Sequence, residues 1–191
     1  MPSIAKPMQL DIWQSSLSRN STSGAAFSRC GRYRYKLWRQ WSADPGVLFL
    51  LLNPSTADAV SNDATIERCE RRARTMGFGA LLVANLFAHR STDPGALYVV
   101  DDPVGQDNDR AILELANAAS MVVCGWGKHG ALHRRGEAVL QMLVQAGHEP
   151  YMLQLNKDGT PKHPLYVSYA VQPRPWIAGT PEATSSRGGP Q

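Results

Sequence analysis

Six consecutive apolar residues, 47–52, end abruptly at an Asn-Pro dipeptide, and no other feature constrains the fold of this 191-residue chain as strongly. An unbroken apolar run of this length is typical of a strand that is buried on both faces, as in the parallel sheets of α/β domains. Pro54 has no N–H for a strand ladder and disfavours helical geometry at Asn53, so the strand has to end there. Ligands of open α/β sheets bind at this carboxyl edge. The sequence therefore predicts a binding site beside Asn53.

Strand-like and helix-like segments alternate along the rest of the chain. Short apolar runs predict further strands at 80–84, 120–124 and 151–155. Apolar residues at helical spacing predict helices between the capping residues 61–63 and Gly77, over 107–118, and from about 131 to 145. Right-handed crossovers place such helices on both faces of a sheet. The pattern predicts a three-layer α/β/α sandwich around a mainly parallel, four-stranded central sheet.

The segment 25–41 has a different pattern, because aromatic and apolar residues alternate with basic ones. Tyr33, Tyr35 and Leu37 occupy one set of alternate positions, and Arg32, Arg34 and Lys36 occupy the other. A period of two predicts a half-exposed strand. We expect it to be an antiparallel strand or hairpin at or near the edge of the sheet.

Composition divides the chain into one domain and two flanking segments. Residues 1–24 are polar and rich in Ser and are expected to be loose, residues 25–176 are expected to form a single α/β domain, and the Gly-, Pro- and Ser-rich tail 177–191 is expected to be disordered. There is no apolar run of about 18 residues and no secretory signal pattern, so we expect a cytoplasmic protein without a membrane partner.

The cysteine count and the charge limit the possible cofactors and partners. Cys30, Cys69 and Cys124 are far apart and form no Cys-x-x-Cys pair, so buried free thiols are expected and no metal or other cofactor. The net charge of +4 permits an anionic partner. Arg32 with Arg34, and Arg71 with Arg72, form two basic clusters that are either solvated faces or contacts for the phosphates of a nucleic acid. We expect a monomer.

Four loops should meet at the carboxyl edge of the predicted sheet, because all parallel strands end on the same side. They are 53–55, 85–87, 125–130 and 156–164. This convergence locates the candidate site.

The first two loops supply three candidate polar residues and one aromatic residue. Asn53 could orient a water molecule or pair with a polar ring, or it could cap its own turn. Asp58 could act as a general base. Asn85 ends the next strand in the same way, and two such asparagines suit a nucleobase. Phe87 could stack on that base or belong to the core.

The last two loops supply a glycine-rich turn and a histidine. Gly125, Trp126 and Lys128 belong to a turn before a helix, where backbone amides favour an anion, although a bare tight turn is equally compatible. His163 precedes Pro164 in a polar loop, and an imidazole there could stabilise negative charge or transfer a proton. The alternative is a surface histidine.

Several of these motifs occur together in a known family. The segments 53–58, 85–88, 124–127 and 162–166, in this order, resemble the bacterial domain-of-unknown-function family 1643 (DUF1643), over roughly residues 28–176. A more distant resemblance is to the uracil-DNA glycosylase superfamily, whose Asn-Pro motif after the first strand is similar to Asn53-Pro54 and whose later His-Pro motif is similar to His163-Pro164. That superfamily has a three-layer fold around a four-stranded parallel sheet.

The distant resemblance implies roles for individual residues. It implies that Asn53 positions the attacking water, that His163 stabilises the departing base, and that Asn85 reads the base edge. Phe87 would stack on the base and Leu165 would be a wedge, with Pro54, Ser55 and Pro164 shaping the pocket. Leu165 replaces the serine that usually follows His-Pro, so the expected substrate is a nucleobase or nucleotide rather than uracil in particular.

Three functional hypotheses follow from the sequence. The first is an enzyme with a glycosylase-like fold that binds a nucleobase or nucleotide and hydrolyses an N-glycosidic bond without a metal. The second is a non-catalytic module that binds a nucleic acid or nucleotide. The third is a metal-independent hydrolase of another small polar substrate, with Asp58 as its base.

Overall fold

The computed structural model describes residues 22–176, so the flanking segment 1–21 and the tail 177–191 lie outside the described residues. Its strands are β1 (Thr22–Phe27), β2 (Arg34–Gln40), β3 (Gly46–Leu51), β4 (Ala80–Asn85), β5 (Ala119–Cys124), β6 (Pro150–Met152) and β7 (Arg174–Pro175). Its α-helices are α1 (Ala64–Thr75), α2 (Asn108–Ala118) and α3 (Arg135–Gln145). Strand β1 thus begins inside the segment 1–24 that was expected to be loose.

The strands form one seven-stranded sheet in the order β1-β2-β4-β3-β5-β6-β7. Strand β3 lies between β4 and β5 and is parallel to both, and β6 is parallel to β5. Strands β1, β2 and β7 pair antiparallel with their neighbours. The alternating pattern correctly indicated a mixed α/β fold, and among the described residues the sheet has seven strands, of which β4, β3, β5 and β6 run parallel to one another.

Helices cover both faces of the sheet, which explains why β3 and β4 are continuously apolar. One core cluster packs Leu48, Leu50 and Leu82 against the apolar residues of α2 and α3. The other packs Val47 and Phe49 against α1. Alternate residues of β3 therefore point into different clusters, and a strand buried in this way has no polar face. Within the described part of the chain, none of the helices has both the length and the apolar character needed to cross a lipid bilayer.

Helix α1 begins and ends as its sequence indicates. The side chain of Asp63 accepts a hydrogen bond from the N–H of Ile66, which satisfies one of the unpaired amides of the first turn. Ile66, Cys69 and Ala73 form the buried stripe. Gly77 follows the helix with φ +84°, a conformation that glycine adopts without steric cost.

The prediction of a half-exposed edge strand at 25–41 is wrong in one respect. The segment forms the β1–β2 hairpin, but β2 also pairs with β4 and is therefore an inner strand. Arg34 and Lys36, which were expected to face solvent, are 2% and 4% exposed. Lys36 forms an ion pair with Glu114 of α2, so its charge is compensated where the helix covers the sheet. Alternation of charged and aromatic residues here reflects paired polar groups rather than a solvated face.

The helix predicted from about residue 131 begins only at Arg135. The preceding residues, Lys128–Arg134, form a 3-10 segment that is interrupted by positive φ angles at His133 (52°) and Arg134 (54°). Two glycines flank this break and pack against the ring of Trp126, because a Cβ atom at Gly130 would lie 2.1 Å from it and one at Gly136 2.9 Å. The last predicted strand, 151–155, is also shorter than expected and ends at Met152.

Candidate functional site

A cavity with a volume of about 740 Å³ lies where the parallel strands end. Its lining comes from four segments, 52–55 after β3, 91–94 after β4, 126–129 after β5 and 156–166 after β6, with Thr65 from the first turn of α1. Three of these segments overlap the loops that the sequence predicts to converge. The loop after β4 contributes residues further along the chain than the expected 85–87.

The structure brings together about half of the residues that sequence reasoning selected. The cavity is lined by Asn53, Ser55, Trp126, Lys128, His163 and Leu165. Pro54, Gly125 and Pro164 are buried beside them. The cavity lining does not include Asp58, Asn85, Phe87, Arg32, Arg34, Arg71 or Arg72.

Asn53 is held by its amide nitrogen, and its carbonyl oxygen remains available. The Nδ2 atom donates to the carbonyl oxygen of Ser91 at 2.8 Å and to that of Pro54 at 3.2 Å. These two acceptors fix which side of the carboxamide is nitrogen. No described residue donates to Oδ1, and the residue is half-buried in the cavity lining. Asn53 thus offers an oriented hydrogen-bond acceptor, and nothing in the sequence indicated that Ser91 would orient it.

His163 is a neutral imidazole in the same cavity. Its Nδ1 accepts a hydrogen bond from the N–H of Leu165 at 3.4 Å, so in the neutral ring the proton resides on Nε2. Burial lowers the pKa of His163 to about 4, and the opposing effect of Asp63 is smaller. At neutral pH this residue therefore donates a hydrogen bond without carrying a charge.

Two arginines of α1 hold the segment that carries His163. Arg68 donates to the carbonyl oxygens of Pro164 at 3.0 Å and Val167 at 2.7 Å. Arg72 donates to those of Val167, Ser168 and Val171 at 2.6–3.1 Å. Both guanidinium groups also lie over the ring of Tyr169. The chemical type of these residues was visible in the sequence, but the loop that they bind was not.

Trp126 forms a rigid base for the cavity. It is 4% exposed and packs edge-on against Trp176, with ring centroids 5.5 Å apart. Glycines 130 and 136 leave room for its indole, as described above. Gly125 has a similar role, because a Cβ atom there would lie 2.8 Å from Cδ of Pro164. The glycines of the turn 125–130 therefore allow the loops after β5 and β6 to pack closely against each other.

Basic side chains dominate one side of the cavity. Lys128, Lys157 and Lys162 line it, whereas Asp158 is the one acidic side chain of the lining. The carboxylate of Asp158 already accepts hydrogen bonds from the N–H and hydroxyl groups of Thr160, which lower its pKa. No ion pair with a carboxylate involves these lysines among residues 22–176. The electrostatic potential on this side therefore favours an anion.

The expectation that Asp58 acts as a general base is not supported by its position. Its Oδ1 accepts hydrogen bonds from the N–H groups of Ser61 at 2.7 Å and Val60 at 2.9 Å. These bonds are the main reason why the pKa of Asp58 lies below its usual range. Arg39 holds the same loop through the carbonyl oxygens of residues 58, 59 and 61. Asp58 therefore shapes a loop and does not line the cavity.

Asn85 and Phe87 are also structural, contrary to expectation. Asn85 is 2% exposed, and its Oδ1 accepts a bond of 3.4 Å from Arg34. Its main-chain oxygen accepts one from Asn108 of α2. Phe87 is fully buried in the core cluster of α2 and α3. Neither side chain belongs to the cavity lining, and both are buried.

Three of the four arginines that were predicted to contact phosphates are either buried or paired with a carboxylate away from the cavity. Arg34 is buried and donates to the carbonyl oxygen of Ala57 at 2.8 Å, and burial lowers its pKa to about 10. Arg72 is 1% exposed and binds the carbonyl oxygens described above. Arg71 is exposed on α1 and pairs with Glu67 at 3.2 Å, away from the cavity lining. These three positions are corrections to the prediction, whereas Arg32 is exposed near the cavity.

The cysteines are free thiols, as expected, but only two of them are buried. Cys69 and Cys124 lie in the core, and burial raises the pKa of each thiol. Cys30 is exposed, and a hydrogen bond with Ser28, followed by contacts with Arg32, lowers its pKa to about 7. Among residues 22–176, no three or more His, Cys, Asp or Glu side chains form a group that could hold a metal ion.

Comparisons with known proteins identify the family but no closer relative. No curated protein and no solved structure matches the chain. A family model described as "Protein of unknown function (DUF1643)" matches residues 34–165. The match includes β2 to β6 and both residues, Asn53 and His163, that present polar groups to the cavity. Since it covers more than half of the chain, this protein belongs to the DUF1643 family.

Proposed function

We propose that this protein binds a nucleobase or nucleotide in the cavity at the carboxyl edge of its sheet and hydrolyses an N-glycosidic bond there. One observation carries the proposal: an oriented acceptor, Oδ1 of Asn53, and a neutral donor, Nε2 of His163, belong to residues that line the same cavity. Hydrolysis of such a bond needs a positioned water on one side and stabilisation of the departing base on the other.

Asn53 would position the water. Its Oδ1 accepts a hydrogen bond from the water, whose oxygen then forms a bond to the anomeric carbon of the sugar. The bond between that carbon and the base nitrogen breaks, and the base leaves with the electron pair. Overall, water supplies a hydroxyl group to the sugar and a proton to the base. The carboxamide is suited to this role because Ser91 fixes its orientation before the substrate arrives.

His163 would stabilise the leaving group. A departing base carries negative charge on a ring nitrogen or an exocyclic oxygen, and the Nε2–H group can donate a hydrogen bond to that atom. The low pKa of His163 keeps the ring neutral, so the ring has this N–H at neutral pH while its other nitrogen remains an acceptor for the backbone. The two arginines of α1 give the loop that carries this donor little freedom to move.

The distant resemblance to the uracil-DNA glycosylase superfamily supports the same assignment. The Asn-Pro motif follows β3 and the His-Pro motif follows β6, and both strands belong to the parallel part of the sheet. The hydrolase hypothesis based on Asp58 is weaker, because the carboxylate of Asp58 is occupied by its own loop.

A base-release assay tests the proposal. Purified protein is incubated with labelled single- and double-stranded DNA that carries uracil, hypoxanthine or an oxidised base, and with the corresponding nucleotides. Release that is abolished in both Asn53→Ala and His163→Ala supports hydrolysis. Binding of these ligands without release supports the non-catalytic module, and the absence of both binding and release contradicts a nucleobase site. Arg110→Ala, an exposed arginine on α2 with its own ion pairs, serves as the matched control.

A further inference from the structure

A second cleft adjoins the main cavity. It has a volume of about 420 Å³ and shares Ser55, Ser91 and Thr92 with the cavity lining. The cavity and the cleft therefore meet at these three residues, so groups of one ligand could bind on both sides of them. The cleft lies on the side of β2 and β4, because Arg32 precedes β2 and Arg90 follows β4.

The residues along this cleft have the chemistry of an oxyanion site. Arg32 and Arg90 supply two guanidinium groups, and none of the lining residues is acidic. Thr56 and Thr92 add exposed hydroxyl groups that form no side-chain hydrogen bond with any described residue. Guanidinium and hydroxyl donors around a shared concavity favour phosphate groups in particular.

Contacts with the protein hold the side chain of Arg90 in place but do not occupy all of its hydrogen-bond donors. Its Nη1 donates to the carbonyl oxygen of Gly31 at 3.1 Å, and its guanidinium group lies over the ring of Phe27. Its Nε is buried and has no hydrogen-bond partner among residues 22–176. Neither Arg90 nor Arg32 forms an ion pair with a carboxylate in that part of the chain, and Arg32 hydrogen-bonds the thiol of Cys30. The positive charge of Arg90 contributes to lowering the pKa of Asp58, but the carboxylate of Asp58 already accepts hydrogen bonds from backbone N–H groups.

We propose that the cleft between Arg32 and Arg90 binds a phosphate group of a ligand whose other part occupies the main cavity. The identity of that other part as a base rests on the proposed function, but the phosphate site does not. The ligand class is a phosphate ester, either a free nucleotide or a nucleic-acid strand.

The arrangement of charges around the sheet distinguishes these two sources. Arg90 follows β4, whereas Lys128 and Lys157 follow β5 and β6, with Asn53 between them. Strands β4 and β6 are three strand spacings apart, which is roughly 14 Å. A nucleic-acid strand that crosses the cavity carries a phosphate on each side of the base, so it can contact both sets of cations at once, whereas a free monophosphate has a single phosphate group for the cleft between Arg32 and Arg90.

Calorimetric titration tests the phosphate site without requiring turnover. The Asn53→Ala protein is titrated with inorganic pyrophosphate, deoxyuridine, deoxyuridine 5′-monophosphate and a single-stranded pentanucleotide with a central deoxyuridine. We expect pyrophosphate to bind and the monophosphate to bind at least about tenfold more tightly than the nucleoside. Adding Arg32→Ala should remove most of this difference in affinity, because Arg32 is one of the two guanidinium groups of the cleft. Arg32 is exposed, so its loss should leave the fold intact, and circular dichroism checks this.

Lysine variants then identify the source of the phosphate. For a free nucleotide, Lys128→Ala should leave the affinity of the monophosphate and of the pentanucleotide equally unchanged. If the ligand is a nucleic-acid strand, Lys128→Ala should weaken the binding of the pentanucleotide only. The slope of the logarithm of its binding constant against the logarithm of the salt concentration should then fall by about 0.7 in magnitude. Arg110→Ala is the control in each titration.

Two results would overturn the inference: equal affinities of nucleoside and monophosphate, or an Arg32→Ala protein that still binds pyrophosphate like its parent. If no base is ever released but pyrophosphate binding depends on Arg32, the phosphate site stands and only the proposed hydrolysis fails.

Discussion

Two asparagines end neighbouring parallel strands, yet they have opposite surroundings. Asn53 follows β3 and presents a carbonyl oxygen to the cavity, with its amide held by Ser91. Asn85 ends β4, and its oxygen is occupied by Arg34. The difference arises because β4 borders β2, whose Arg34 reaches across the strand end, whereas β3 borders two strands without such a residue. The end of a parallel strand is therefore a ligand site only where no neighbouring side chain covers it.

The largest expected effect is on catalysis at the open strand end. Asn53→Ala should lower kcat for base release by about 10²–10³-fold with little change in KM, because the water loses its oriented acceptor and substrate binding does not depend on it. Thermal unfolding of the variant should resemble that of the parent. A variant that loses stability as much as activity would place Asn53 with Asn85 as a structural residue.

The next largest effect is on stability and concerns adjacent arginines of α1. Arg72→Ala should lower the free energy of unfolding by about 2–4 kcal/mol, because three carbonyl oxygens in buried or partly buried surroundings lose their donor. Arg71→Ala should change it by less than about 0.5 kcal/mol, since Arg71 is exposed. Urea denaturation measures both. Equal losses would contradict the assignment of Arg72 as the residue that holds the loop after β6.

Asn85→Ala should affect stability rather than chemistry. The substitution leaves Nη2 of Arg34 without its acceptor in a buried site, which costs about 1–3 kcal/mol. Ligand affinity and kcat should remain near those of the parent at temperatures where the variant is folded. Loss of base recognition in a variant of unchanged stability would show that Asn85 does reach the ligand, and the contrast with Asn53 would then be lost.

The titration of His163 gives a smaller, pH-dependent effect. Because the folded pKa of about 4 lies below the ordinary value, the neutral ring is retained to about pH 5, and activity should fall only as the pH approaches 4. The unfolded state binds more protons between these pKa values, so stability should decrease as the pH falls through this window. His163→Gln should show a shallower loss of stability between pH 6.5 and 4. Parallel stability curves for the two proteins would contradict a buried neutral histidine.

The smallest effect concerns the thiols and should not change the fold. Iodoacetamide at pH 7.5 should label Cys30 at least about tenfold faster than Cys69 or Cys124, because only Cys30 is exposed and has a lowered pKa. Mass spectrometry of the digested protein measures the three rates. Ser28→Ala should slow the labelling of Cys30, since the hydrogen bond from Ser28 is the main cause of its low pKa.

Some features of the protein were determined by local sequence alone. The apolar runs at 47–52 and 80–84 specify strands that are buried on both faces, and the run at 120–124 specifies a strand whose last three residues are buried. The capping side chain of Asp63 and the glycine after α1 fix both ends of that helix. Because parallel strands end on one side of a sheet, Asn53 and His163 had to meet at the same edge, and they line one cavity.

Other features were decided only by the tertiary structure. Whether an arginine is a ligand contact or a buried donor depends on which loop passes over it, and Arg34 and Arg72 are buried because the loops at 57 and 167–171 fold onto them. The break before α3 lies between Gly130 and Gly136, which pack against Trp126, and this contact exists only in the folded protein. Side-chain type and spacing specify what a residue can do, but only the packing of distant segments determines which of its polar atoms remain available.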